Sequence, residues 1–142
     1  VESSDNLAIV KLIDDKITII TSLRSSEPGV LDSLEEKIVN IIKEHKVSYW
    51  VGEGYPEWRF RPISHLRDTA VKTYKDLFNE DMQVTVIHAG LECGAISTHY
   101  PDLDMISIGP NIYDVHTPKE KMEIASVEKY YKYLLELLKN LK

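Results

Sequence analysis

At 142 residues, with a net charge of −6 and a pI near 5.3, the chain excludes a nucleic-acid partner, which would need a basic face. A hydrophobic fraction of 43% is enough for a packed core and excludes global disorder, and no apolar run is long enough to cross a bilayer. The single cysteine, Cys93, excludes an internal disulfide framework and fits a reducing, cytoplasmic compartment. No secretory signal is visible, and the start at Val1 without a methionine reads as a processed product or an expressed fragment.

Residues Asn6 to Ile13 and Lys16 to Leu23 are β-rich runs joined by Asp14-Asp15, a short polar joint that predicts an antiparallel hairpin. The Ser25, Ser26, Pro28, Gly29 cluster ends it. From Leu31, apolar residues recur at Leu34, Ile38, Ile41 and Ile42, which is helical spacing, and Val47 to Val51 has strand character. This first α+β unit is short of core. The composition changes at Gly52-Glu53-Gly54-Tyr55-Pro56, which places a domain boundary between residues 1–52 and 53–142.

Beyond the boundary, a helix is expected from Ser64 to Phe78, with Ser64 as its cap and Leu66, Ala70, Tyr74, Leu77 and Phe78 inward. Gln83 to Ile87 and Asp104 to Ile108 are apolar enough to be strands buried on both faces. Leu91 to Thr98 is a short helix between them. A final helix is expected to be capped by Ser126, with Val127, Tyr130, Tyr131, Leu134, Leu135, Leu138 and Leu141 inward. Alternating helices and strands predict an α/β fold, with a parallel or mixed sheet covered by helices.

Four places carry residues suited to chemistry. His116 sits in a loop after the strand that ends at Ile108-Gly109-Pro110, and in open α/β sheets sites form beyond the carboxyl ends of strands. A neutral imidazole is a common zinc ligand; the plain alternative is a surface histidine. His88-Ala89-Gly90-Leu91-Glu92-Cys93-Gly94 places a strand end, flanking glycines and a carboxylate at a helix start. Glycine permits close approach of a ligand to the backbone, and Glu92 equally stabilises its own helix dipole. His88 is either a hydrogen-bonding group near that turn or a satisfied core histidine. Ser107-Ile108-Gly109-Pro110 reads as a strand-ending turn. Arg24, at the end of the hairpin, has the guanidinium that suits a peptide's terminal carboxylate, unless it is simply an exposed strand-end arginine. Cys93 reads as a small buried hydrophobe, and His45, His65 and His99 have no partner at ligand spacing.

The stretch from His88 to Glu120 resembles the C-terminal catalytic segment of the aminoacyl-histidine dipeptidases, also called Xaa-His dipeptidases or peptidase D, which are carnosinase-like two-metal zinc peptidases. The resemblance rests on the Gly-Leu-Glu-Cys-Gly turn and on His116-Thr117-Pro118-Lys119-Glu120, similar to that family's His-Ser/Thr-Pro-x-Glu motif. It implies that His116 ligates one of two zinc or similar divalent ions, with Pro118 and Glu120 fixing its loop. Glu92 and the Gly90 backbone would then face the substrate's amino end, His88 would lie nearby, and Gly109 would be a backbone wall against the substrate. The hairpin would belong to a lid domain that pairs two subunits, with Arg24 gripping the substrate carboxylate. Gly54-Tyr55-Pro56-Glu57-Trp58 also resembles the family, at the crossover from lid to catalytic domain.

A complete enzyme of that kind needs ligands that this chain lacks. Its His-x-Asp pair, bridging Asp and Glu-Glu pair precede the lid, and here no histidine is followed two residues later by Asp. The only Glu-Glu, Glu35-Glu36, lies on a helix at the wrong end. A catalytic zinc site takes about three protein ligands, and one imidazole does not make one. The chain therefore reads as the C-terminal part of a zinc-peptidase catalytic domain preceded by the last elements of a lid. On that reading the parent acts on Xaa-His dipeptides, while the 142 residues alone hold no metal tightly and are inactive. The rival readings are a non-catalytic α/β module that binds a peptide or protein, and a sister peptidase or deacylase on the same scaffold.

Overall fold

A computed structural model describes residues 2–27, 29–87 and 91–142. The expectations placed on His88 and Gly90 lie outside the described residues. Within them the chain is a mixed α/β protein of four helices and two antiparallel two-stranded sheets. It divides into two compact units, one formed by Val1–Arg61 with Thr85–Asp102, the other by Pro62–Val84 with Leu103–Lys142.

The first unit opens with the expected hairpin, β1 (Ser3–Ile13) and β2 (Lys16–Ser25), in register from Ile13↔Lys16 to Ser3↔Ser25 with one irregularity between Leu7 and Ile9. Asp14 and Asp15 have φ of 48° and 58°. Positive φ at both central residues is the type I′ signature, whose twist matches that of the flanking strands, and Asp tolerates it better than most residues. The open end is tied by buried serines: Ser26 donates its N–H to the Glu2 carbonyl at 3.1 Å, and Ser25 Oγ accepts from the Glu27 N–H at 3.0 Å. Helix α1 (Val30–Glu44) follows Gly29, whose φ of 77° is open to glycine without strain. It packs on both strands; its Leu31, Leu34, Ile38 and Ile42 are half-buried, while Ile41 is exposed. Val47–Val51 joins no ladder among the described residues. The remaining helix of this unit is α3 (Glu92–His99).

The second unit is built on α2 (His65–Phe78) and α4 (Ile124–Asn140). Ser64 caps α2 as its sequence predicts, accepting the Arg67 N–H at 3.0 Å. Asp104 completes the cap from 40 residues away: its Oδ1 accepts from Ser64 Oγ at 2.7 Å and its Oδ2 from the Leu66 N–H at 2.9 Å. Two otherwise orphaned helical donors are thereby satisfied. Between α2 and α4 lie the buried Ala70, Tyr133 and Leu137, flanked by Tyr74, Phe78, Met82, Ile106, Ile108 and Tyr130. Tyr133 donates its hydroxyl to the Ala70 carbonyl at 3.1 Å, and its ring meets Tyr74 edge-on at 5.4 Å. A two-stranded hairpin, β3 (Ile112–Tyr113) and β4 (Lys121–Met122), precedes α4.

Several expectations are corrected. Gln83–Ile87 and Asp104–Ile108 enter no ladder among the described residues, whose sheets are small and antiparallel. Strand pairing needs a second strand within about 5 Å, and an apolar segment cannot supply its own. Val84, Val86 and Ile87 are accordingly exposed rather than buried, whereas Ile106 and Ile108 do pack on the core. The face of α4 is rotated from the expected one: Tyr133 and Leu137 are buried, while Tyr131, Leu135 and Leu138 form a second, exposed stripe. Leu77 of α2 is exposed too. Ser126 does not cap α4. It lies inside the helix, donating to the Glu123 carbonyl at 2.6 Å and accepting the Asn111 N–H at 2.9 Å, and Glu123 holds the cap position.

Candidate functional site

Arg24 and Glu92 belong to the first unit, Gly109 and His116 to the second. Arg24 is exposed on β2 opposite Ser4, one residue before the buried Ser25-Ser26 tie. The strand end that carries its guanidinium is thus fixed while the head stays in solvent.

Glu92 is the first residue of α3, exposed, an acidic residue in the first turn where the helix dipole favours negative charge. Behind it, Gly94 is buried, and a Cβ there would collide with the carbonyl of Pro56. The Gly-Tyr-Pro-Glu-Trp segment therefore crosses directly over the start of α3, a contact that only glycine allows. Cys93, half-buried, has its thiol pushed above the ordinary cysteine range by burial and then by the Glu92 charge. This is the electrostatics of an unreactive thiol.

Gly109 is exposed, and a Cβ on it would meet nothing within 4 Å. Two residues on, Asn111 begins a network that sequence reading missed. Its side-chain amide donates to Glu123 Oε2 at 2.8 Å, Tyr113 donates its hydroxyl to the same oxygen at 3.1 Å, and the Glu123 N–H donates to the Asn111 carbonyl at 3.0 Å. The two side-chain donors, Asn111 first, hold the Glu123 carboxyl below its ordinary range, and the carboxylate in turn raises the Tyr113 phenol. These bonds lock the base of the β3–β4 hairpin to the start of α4. Only the adjacency of Asn111 and Tyr113 in the strand-ending turn hinted at them.

His116 sits in the loop that this base supports. Its own φ is 65° and that of Asp114 is 54°. Both lie in the left-handed region that costs a non-glycine residue energy unless the surroundings hold it. Here the surroundings do. Thr117 donates its hydroxyl and its N–H to the Asp114 carbonyl at 2.7 and 3.2 Å, and its Oγ1 accepts the Lys119 N–H at 3.1 Å. The Glu120 N–H donates to the Thr117 carbonyl at 3.0 Å, and Glu120 Oε2 accepts the His116 N–H at 2.8 Å. The imidazole is exposed and makes no hydrogen bond among the described residues. An imidazole with both nitrogens open suits a divalent metal as one donor. It is one donor and not a site: among the described residues no group of three or more His, Cys, Asp or Glu side chains is gathered to hold an ion.

Comparison with known proteins adds the context. The pattern of peptidase family M20/M25/M40 matches residues 5–140. The chain is 35% identical to the cytosol non-specific dipeptidase of Escherichia coli (strain K12) over 145 residues, an alignment that covers 99% of this chain and 29% of the relative. It also superimposes on the crystal structure of aminoacylhistidine dipeptidase from Vibrio alginolyticus with a TM-score of 0.80 and 28% identity, covering 98% of this chain and 28% of that one. The chain thus spans less than a third of the length of the relatives it matches.

Proposed function

Because this chain belongs to peptidase family M20/M25/M40, we propose that it forms part of a cytoplasmic dipeptidase that cleaves Xaa-His dipeptides with two zinc or similar divalent ions. The observation that carries this reading is the His116 loop, a strained turn held by four surrounding residues and presenting an imidazole with no hydrogen bond among the described residues. Such an ion, when bound, supplies a Lewis acid for the scissile carbonyl. His116 would supply one donor to it. Arg24 grips the terminal carboxylate of the substrate in bidentate fashion. Glu92 lies toward its amino end, and Gly109, open to solvent and lacking a side chain, lets the substrate backbone come close. Residues 1–52 are the end of a lid through which two subunits pair, and residues 53–142 are the end of the catalytic domain.

A second reading concerns breadth. One relative is named for aminoacylhistidine and the other for non-specific dipeptides, so the residues they share with this chain are compatible with a wide dipeptide range. A dipeptide panel with and without C-terminal histidine, assayed on the full-length protein, separates the two. His116→Ala is expected to remove one metal equivalent and nearly all activity, and unchanged metal content would overturn the reading. The 142 residues alone are expected not to hydrolyse any dipeptide.

A further inference from the structure

We infer that the segment Pro56–Arg61 is a strap that holds Arg24 and Glu92 at a fixed separation and so sets the length of peptide accepted, an inference that rests on the reading of those two residues as grips for the substrate's two ends. The strap is anchored in the first unit at three points. Its Pro56 carbonyl stands where a Cβ of residue 94 would be, two residues beyond Glu92 in α3. The Arg59 guanidinium pairs with the Glu27 carboxylate at 3.8 Å. Arg61 donates from Nη1 to the Asp102 carbonyl at 2.7 Å, three residues past the end of α3. Glu27 in turn belongs to the tie that closes the hairpin. Its N–H donates to Ser25 Oγ at 3.0 Å, its carbonyl accepts from that hydroxyl at 3.2 Å, and Ser25 directly follows Arg24. From Arg24 to Glu92 the contacts therefore run through Ser25, Glu27, Arg59, Pro56 and Gly94, all within one unit.

Length selection needs such a part. One more residue lengthens an extended peptide by about 3.3–3.6 Å. Two grips free to separate by that much hold a tripeptide as well as a dipeptide; two grips tied to one strap do not. The anchors also differ in kind. The contact at Gly94 is with a backbone carbonyl, which cannot turn aside as a side chain can. The Arg59–Glu27 pair is largely exposed and adds little to stability, so it can be broken with the hairpin intact.

The test is the ratio of kcat/KM for a dipeptide ending in histidine to that for the tripeptide with one alanine added at its amino end, measured on the full-length protein. Arg59→Glu, which sets two carboxylates against each other, is expected to lower this ratio by about 10–100-fold, because misplacing a substrate-holding group by about 1 Å costs up to that much. The loss is expected mainly in the dipeptide KM, as for groups that bind rather than react. Exchanging the charges, Glu27→Arg together with Arg59→Glu, is expected to recover most of the ratio, which a loss of fold would not allow. Gly94→Ala is expected to lower it as well; if that variant does not fold, the charge pair decides. An unchanged ratio in Arg59→Glu overturns the strap, as does a loss that the exchanged pair does not recover. Arg24→Ala and Glu92→Gln test the grips by themselves. If both leave the dipeptide KM unchanged, the reading of the two ends fails and the strap falls with it. If both raise it while Arg59→Glu keeps its ratio, the strap alone is wrong.

Discussion

The carbonyl oxygen of Pro56 lies against Gly94 where any other residue would place its Cβ. The contact joins the crossover segment to the helix that begins with Glu92. Gly94→Ala gains about 1 kcal/mol in helix propensity. It also forces a methyl into a backbone atom that cannot rotate away, an overpacking that costs about 1–3 kcal/mol. The clash wins, and urea unfolding should show a lower midpoint for Gly94→Ala. Gly109→Ala, where the added Cβ meets nothing, should change stability by no more than about 0.5 kcal/mol.

Tyr133 and Leu137 make up most of the small core of the second unit. Leu137→Ala should cost about 2–5 kcal/mol, the range for a buried leucine truncation. Tyr133→Phe keeps the ring contact with Tyr74 and loses only the hydrogen bond to the Ala70 carbonyl. It should cost about 1–2 kcal/mol, since that carbonyl also serves the helix ladder. Chemical unfolding of both variants, monitored by circular dichroism, gives the ratio.

Lys129 bridges α4 to Glu80 at 2.6 Å and lies over the rings of Phe78 and Tyr74 at 4.7 and 5.1 Å. The Lys129 and Tyr74 hydrogen bonds lower the Glu80 carboxyl, and the Glu80 bond raises the Lys129 ammonium. A depressed carboxylate stabilises the fold above its unfolded value, and that contribution is lost as pH falls through the folded value. A raised ammonium stabilises it below its unfolded value and loses the contribution as pH rises through the folded one. The pair therefore acts from mildly acidic pH up to the lysine range. Glu80→Gln should flatten the acid limb of the unfolding-midpoint profile, and added salt should shrink the difference because the pair is exposed.

With its thiol raised by burial and by Glu92, Cys93 should alkylate slowly at neutral pH. The iodoacetamide rate should rise with pH along a curve displaced above that of a free cysteine. Glu92→Gln should move the curve back part of the way, because burial is the larger cause. A rate at neutral pH equal to that of free cysteine would count against the assignment.

Local signals were readable and distant ones were not. Asp14-Asp15 between two β-rich runs specified the hairpin because a two-residue turn is fixed by its own residues, and Ser64 announced α2 for the same reason. The resemblance carried by Gly-Leu-Glu-Cys-Gly and His-Thr-Pro placed the chain in its peptidase family. Asp104 gave no sign that it would cap a helix 38 residues earlier. The strands at Gln83–Ile87 and Asp104–Ile108 were judged by composition, which reports suitability for a sheet and not the presence of a neighbour. For α4, two apolar stripes lie on one helix and the sequence favours the one with Tyr131, Leu135 and Leu138, which is exposed, while Ser126 has the look of a cap but accepts the Asn111 N–H from inside the helix. The His-Thr-Pro motif singles out the His116 loop in the sequence; the Asn111–Tyr113–Glu123 base beneath that loop joins residues 10 and 12 positions apart with no shared pattern.

The Asp14–Asp15 turn also bears on the order in which the chain acquires structure. Every rung of the β1–β2 ladder joins residues at most 22 apart, nested around that turn. Such a hairpin zips within about 1–10 μs once its strands are free of the ribosome. The α2–α4 core must instead close a segment of about sixty residues between Ala70 and Tyr133, and that loop entropy is spent before any burial repays it. Arg24 is therefore carried on scaffolding that matures early and locally, and the His116 turn, whose bonds span at most 12 residues, does likewise, while the α2–α4 core waits for Ile124–Asn140.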